Sequence, residues 1–178
     1  TLTLRINERL GMGVVNAYGR YYVLDVSGIV LECTGSVFPD TVAGPAISGL
    51  LMDNNKRVVV VIGEKIPVRD SKQLESMERV LTMLDSVGML GRISHLDNLY
   101  LMTTDGAQIV LGDDGSLQTK LLIAREVLAV REPLGTVRGA KIDVSSGREA
   151  HYIPDTLPTI TPVPTATPTA APSETPEN

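Results

Sequence analysis

Ser94, His95 and Asp97, in the stretch SHLD, are the residues of this chain whose types and spacing come nearest to chemistry. Two apart, His95 and Asp97 point to one face of a β-strand, as a pair of metal ligands does. No His/Cys cluster supplies a third ligand, so an ordinary strand pair is the better reading. Ser94 and His95 cannot form a nucleophile–base dyad within a regular strand, because neighbouring side chains face opposite sides. His151, the other histidine, adjoins Tyr152 in a short closing strand and reads as a surface residue.

The remaining chemical signals are also weak. GMG at 11–13 lacks the rest of a dinucleotide fingerprint and opens no helix. GDDG at 112–115 has acidic oxygens but neither the further alternating ligands nor the terminal Glu of a calcium loop, and reads as a turn with a helix cap. Cys33, in LECTG, has no basic neighbour to activate its thiol and no second cysteine to pair with. Met77, Met83 and Met89 read as ordinary helix and core filler. Catalysis, a metal and a cofactor are not expected.

The elements around these residues are clearer. Short strands are predicted at 14–17, 21–25 and 29–32, with turns at 16–20 and 27–28. Residues 34–56, rich in Gly, Pro, Asp and Asn, read as an irregular connection. RVVVVIGEKI, at 57–66, is a continuous apolar run that reads as a strand buried on both faces. From Asp70 the period changes: Leu74, Met77, Leu81 and Leu84 recur at helical spacing, with Asp70 and Gln73 as a capping box and Gly88 as the stop. GRISHL and a hairpin turning at Asp105-Gly106 follow. Ser116 is placed to cap a second helix with Leu117, Leu121, Ala124 and Leu128 on one face, ended by Pro133. The order of strands, helix, hairpin, helix and strands predicts an α+β fold with a mixed, largely antiparallel sheet.

Of the 178 residues, those from Pro154 to Asn178 include 7 Pro and 7 Thr and no basic residue, a composition that reads as a disordered, extended tail. Such a tail serves either as a solubilising extension or as a tether. The preceding 153 residues carry all 16 basic residues and 18 of the 21 acidic ones, with no basic cluster, which argues against nucleic acid. They can bury roughly 70% of their unfolded surface in a single core. No run of about 20 apolar residues spans a bilayer. TLTLRI starts abruptly as an alternating strand, which reads as a fragment whose signal or anchor lies upstream.

The last alternating segment, KIDVSS, sets Ile142 and Val144 against Lys141, Asp143 and Ser145. Being last, it is expected at the rim of the sheet. Its charges are either gatekeepers against stray pairing or part of a docking edge.

In serial order the segments resemble the bacterial cell-division proteins FtsQ/DivIB. TLTLRINERL carries that family's Glu-Arg pair as Glu8-Arg9, and YYVLDVSGIVLE carries its hairpin signature as Asp25 and Gly28. GPAISGL resembles its Pro-x-x-x-Gly connection through Pro45 and Gly49, and the "G-IVLGD … K" and "G-KID" elements follow. ERLGMG lacks the usual proline after Glu-Arg, and ISHLDNLYL is shorter than its counterpart.

The resemblance implies that residues 1–10 end a truncated POTRA domain, 11–153 form the β domain, and 154–178 are the tail. It implies a non-enzymatic scaffold of the division complex, held at the cell membrane by an N-terminal helix absent from this fragment, with this region on the extracytoplasmic side. Its partners would be the coiled-coil division proteins FtsL and FtsB/DivIC. By the same resemblance, partner binding falls to Lys141, Ile142, Asp143, Val144, Ser145 and Ser146, with Tyr152 as an aromatic contact. A secreted or wall-associated binding domain for glycan or peptide is the alternative.

Overall fold

Tyr18 and Gly19 carry the backbone through positive φ (52° and 76°). That two-residue turn matches the twist of paired strands and joins β1 (Gly13–Ala17) to β2 (Arg20–Leu24). The next turn is organised by Asp25, whose Oδ1 accepts the amides of Ser27 (2.8 Å) and Ile29 (2.9 Å). Its other oxygen takes the guanidinium of Arg9. Gly28, at φ 70°, completes the turn where a Cβ would lie 3.0 Å from Leu74 Cδ1, and β3 (Val30–Gly35) follows.

The structure, a computed structural model, describes residues 8–39, 42–53 and 59–155. The strand expected at TLTLRI and the tail from Thr156 onward lie outside the described residues. Glu8 to Leu10, assigned above to a POTRA strand, are exposed and not in a strand.

Within the presumed connection lies a strand, β4 (Ala46–Ser48), parallel to both β1 and β5 (Ile93–Asp97). The glycines that suggested a loop serve close approach: a Cβ on Gly44 would sit 1.8 Å from the Met12 carbonyl oxygen.

α1 (Ser71–Ser86) begins at Asp70, which accepts the Lys72 amide at 2.9 Å. The capping box is not formed. Gln73 instead reaches out of the helix, accepting from the Leu51 amide (3.0 Å) and donating to Gly49 O (2.6 Å) and Asn98 Oδ1 (2.8 Å). At the other end Met89 N bonds Leu84 O (2.8 Å) and Gly88 N bonds Asp85 O (2.9 Å), a Schellman closure with Gly88 at φ 70°.

β6 (Tyr100–Thr103) and β7 (Gln108–Val110) form the hairpin around Asp105-Gly106. α2 (Leu117–Arg131) buries Leu117, Leu121, Ala124 and Leu128 as expected. Ser116 caps nothing: it sits in the left-handed region (φ 52°), where its hydroxyl makes no bond to the helix. Pro133 lies in a short 3-10 turn after α2. β8 (Lys141–Asp143) and β9 (His151–Ile153) close the fold.

Among the described residues nine strands make one mixed sheet in the order β3-β2-β1-β4-β5-β6-β7-β8-β9, with both α-helices against one face. The fold is α+β, and most strand pairs are antiparallel. One residue from each strand lines up across the covered face: Cys33, Tyr22, Val15, Ile47, Leu96, Leu101, Ile109, Ile142 and Tyr152. The seven interior members are buried against α1 and α2, and the two at the rims are partly buried. Among the described residues no helix is long and apolar enough to cross a membrane.

The run at 57–66 is not a central strand over its described part. Val59 and Ile62 are 75% and 62% exposed, and only the end of the run pairs. Gly63 N bonds Val30 O (2.8 Å), Val30 N bonds Glu64 O (2.9 Å), and Ile66 N bonds Gly28 O (2.9 Å). The segment latches onto the outside of β3, with Ile66 buried in the core and Val60 packed partly against it. Apolar composition cannot distinguish a buried strand from a rim cover.

Candidate functional site

The segment expected at the rim is internal. β8 lies between β7, to which it runs parallel, and β9, to which it is antiparallel. Ile142 and Val144 are fully buried, and the Val144 amide donates to Val110 O at 3.0 Å. Ser145 and Ser146 belong to the turn between β8 and β9, where the Ser145 amide donates to Asp143 Oδ1 (3.0 Å). The Ser145 side chain, and after it this backbone bond, hold the Asp143 carboxyl below its ordinary range. Lys141 and Asp143 point to the uncovered face of the sheet and are half-buried. Of the seven residues the resemblance implied, Tyr152 alone lies on the terminal strand. The misplacement has a simple cause: seven residues separate β8 from β9, enough for a turn and a return strand that the short EAHYI barely announces.

β9 is the rim, and no strand among the described residues pairs with its outer edge. The direction of its backbone groups follows from the neighbouring bonds. Gln108 N to Ala140 O (2.8 Å) and Val144 N to Val110 O (3.0 Å) turn the even-numbered residues of β8 toward β7. Alternation leaves Lys141 and Asp143 to bond Ile153 and His151, their partners in β9. The N–H and C=O of Tyr152 therefore point away from the sheet. Pro154, which has no N–H, follows directly.

The Tyr152 side chain is fixed from within. It extends the buried row, its ring lies under the Arg131 guanidinium at 4.4 Å, and its hydroxyl donates to Thr136 O. It is a brace between β9 and the end of α2, while its main chain faces outward. His151 and Ile153 are exposed on the opposite face, where His151 Nε2 is 3.6 Å from Glu149 Oε1.

His95 and Asp97 do share the uncovered face, as their spacing required. A bulge at Ser94 (Ile93 opposes Thr103 and His95 opposes Met102) breaks the alternation, so Ser94 Oγ comes within 3.4 Å of His95 Nδ1. This corrects the expectation that the two face opposite sides. Ser94 Oγ is nevertheless committed to Met102 O and Thr103 O, each at 3.1 Å, so its proton is directed at carbonyls rather than at the imidazole. Around them Ser48, Asp97, Tyr100, Met102 and Gln108 line a shallow hollow of about 740 Å³. Among the described residues no group of three or more His, Cys, Asp or Glu is placed to hold a metal.

Sequence reasoning missed Lys120, which is 2% exposed on the inner face of α2. Its ammonium donates to Leu111 O (2.8 Å), Asp113 O (3.1 Å) and Asp113 Oδ1 (2.6 Å). The Lys120 bond is the largest cause lowering the Asp113 carboxyl, with the Gly115 amide adding to it. The signal was available: Lys120 stands between Leu117 and Leu121 on the apolar face, and it is the lysine of the G-IVLGD … K element. Likewise Arg9 and Asp25, from two separate motifs, meet as an ion pair.

Compared with known proteins, the chain matches no family model, no curated protein and no solved structure.

Proposed function

We propose that this domain is a non-catalytic docking module that adds a partner's strand to the outer edge of β9, in the manner of an FtsQ/DivIB scaffold of the cell-division complex. The observation that carries the reading is the outward N–H and C=O of Tyr152 on a rim with no partner strand among the described residues. Unpaired strand groups gain hydrogen bonds from an added segment. The meeting of Arg9 with Asp25 and of Lys120 with the GD turn supports the family part of the reading, because the quoted motif residues have work to do together. The partner would then be a FtsL- or FtsB/DivIC-like coiled-coil protein, and the site would lie on the extracytoplasmic side of a cell membrane.

Capture of a purified FtsB/DivIC-type protein from the same organism tests this. Tyr152→Pro removes the outward donor and should abolish capture. Tyr152→Ala, which keeps the N–H but loses the brace, should only weaken it. Equal capture by wild type and Tyr152→Pro sinks the reading.

A second reading, a wall-associated binder of glycan or peptide, draws on the hollow of the uncovered face, where Tyr100 is 51% exposed beside Ser48, His95, Asp97 and Gln108. An aromatic platform flanked by hydroxyl, amide and carboxylate groups suits a sugar ring. Tyr100→Ala should then abolish binding to isolated cell-wall glycan while leaving partner capture intact.

A further inference from the structure

One set of hydrogen bonds and two close packings tie together the turn before α2, Lys120 and the turn that delivers β9. The ammonium gathers two carbonyls and a carboxylate of residues 111–113. Gly112, at φ 74°, lies against Ser145 so closely that a Cβ there would be 2.6 Å from the serine Cβ. Gly147, at φ 66°, lies over the lysine stem, where a Cβ would be 3.6 Å from Lys120 Cε and 3.8 Å from Ser116 Cβ. The two turns are therefore stacked, and the Lys120 side chain fills the space between them. A buried ammonium persists only when its donors are satisfied, so the three oxygens hold the lysine as firmly as it holds them.

We infer that Lys120 is the positioning residue of the rim: from the inner face of α2 it fixes the turn at residues 144–150 and thereby the place and order of β9. The consequence for docking rests on the reading of β9 as a partner edge; the positioning itself does not. Loss of the ammonium leaves Asp113 O without that donor and takes one of two donors from Leu111 O and from Asp113 Oδ1, loosening the 111–113 turn that packs on Ser145 through Gly112, so the strand that begins four residues after Gly147 loosens while the distant β1–β2 hairpin keeps its contacts.

Hydrogen exchange on the full chain, without partner, compares wild type with Lys120→Met and Lys120→Arg. In Lys120→Met, amides of residues 144–153 should exchange at least about tenfold faster, with less than about a twofold change in α1 and in β1–β2. Lys120→Arg should restore much of the protection by returning a cation to the same oxygens. Acceleration spread evenly over both ends of the sheet, or unchanged exchange at 144–153, overturns the assignment. Should Lys120→Met not fold, Asp113→Ala carries the test, since that exposed carboxylate can be removed without opening the core. Local acceleration at 144–153 supports the inference, and unchanged exchange there overturns it. Because no partner enters, failure of docking and failure of this inference are read separately.

Discussion

At one rim of the sheet β3 carries two bulges, with Leu31 and Thr34 as the extra residues, and residues 63–66 lie along its first part. At the other, β9 has three residues, no bulge and no cover among the described residues. Both rims end the same buried row, in Cys33 and in Tyr152. Bulges and covering segments are how sheets block stray pairing. β9 is blunted only by its length and by Pro154. A fold that shields one edge by two devices and leaves the other with outward main-chain groups treats its rims as different surfaces. The brace beneath Tyr152 and the Lys120 clamp point the same way, since a docking edge needs a fixed position more than an inert one does.

Breaking the comparison at its strongest point means breaking the β7–β8–β9 end itself. Val144→Pro removes a buried side chain and the donor to Val110 O, and should cost at least about 3 kcal/mol, with loss of the fold by circular dichroism. Preserved structure would mean that β8 is not internal. Ile66→Ala unplugs the β3 cover and should cost about 2 kcal/mol. With that rim freed, concentration-dependent self-association should appear in sedimentation; a destabilised protein that stays monomeric would show that the cover does not guard the edge. Arg131→Ala removes the cation over the Tyr152 ring and should cost about 0.5–1 kcal/mol, measured by urea denaturation, with exchange of the His151 and Ile153 amides rising more than that of β2.

The smallest effect is on acid sensitivity. Asp113 and Asp143, which flank the clamp, both have lowered carboxyl pKa values. A carboxylate that is more acidic folded than unfolded adds stability that is complete above the unfolded value, near 3.9. That stability is lost as pH falls through the lower, folded value. Asp113→Asn should therefore flatten the decline in protection of residues 144–153 below about pH 4. An unchanged acid profile would remove Asp113 from the clamp.

Much of the local structure was legible before any coordinates. Helical spacing from Leu74 to Leu84, the Asp70 cap, the Gly88 stop, the Asp105-Gly106 turn and the apolar face of α2 are decided by residues within a few positions of one another. Errors arose where a distant segment settles the outcome. Gln73 could close its own helix, but Gly49, Leu51 and Asn98 offer better partners. The residues at 46–48 became a strand because β1 and β5 stand on either side of them. Val59, Val61 and Ile62 stayed exposed because the place beside β3 is taken by the residues around Lys65.

For the candidate site, the Ile142/Val144 alternation foretold a strand correctly, but alternation reports which face is buried and carries no information about which edge is paired. By itself the sequence determined the elements, the faces they bury and the motif residues worth watching, since periodicity and turn chemistry act over short distances. Only the tertiary structure decided that β9 is the rim, that Tyr152 faces outward by its main chain and inward by its ring, and that a lysine from α2 holds the turn between. The rim is decided by which strands pair, Gln108–Val110 with Lys141–Asp143 and that strand with β9, and the other two by side chains packing between elements, neither of which short-range periodicity encodes.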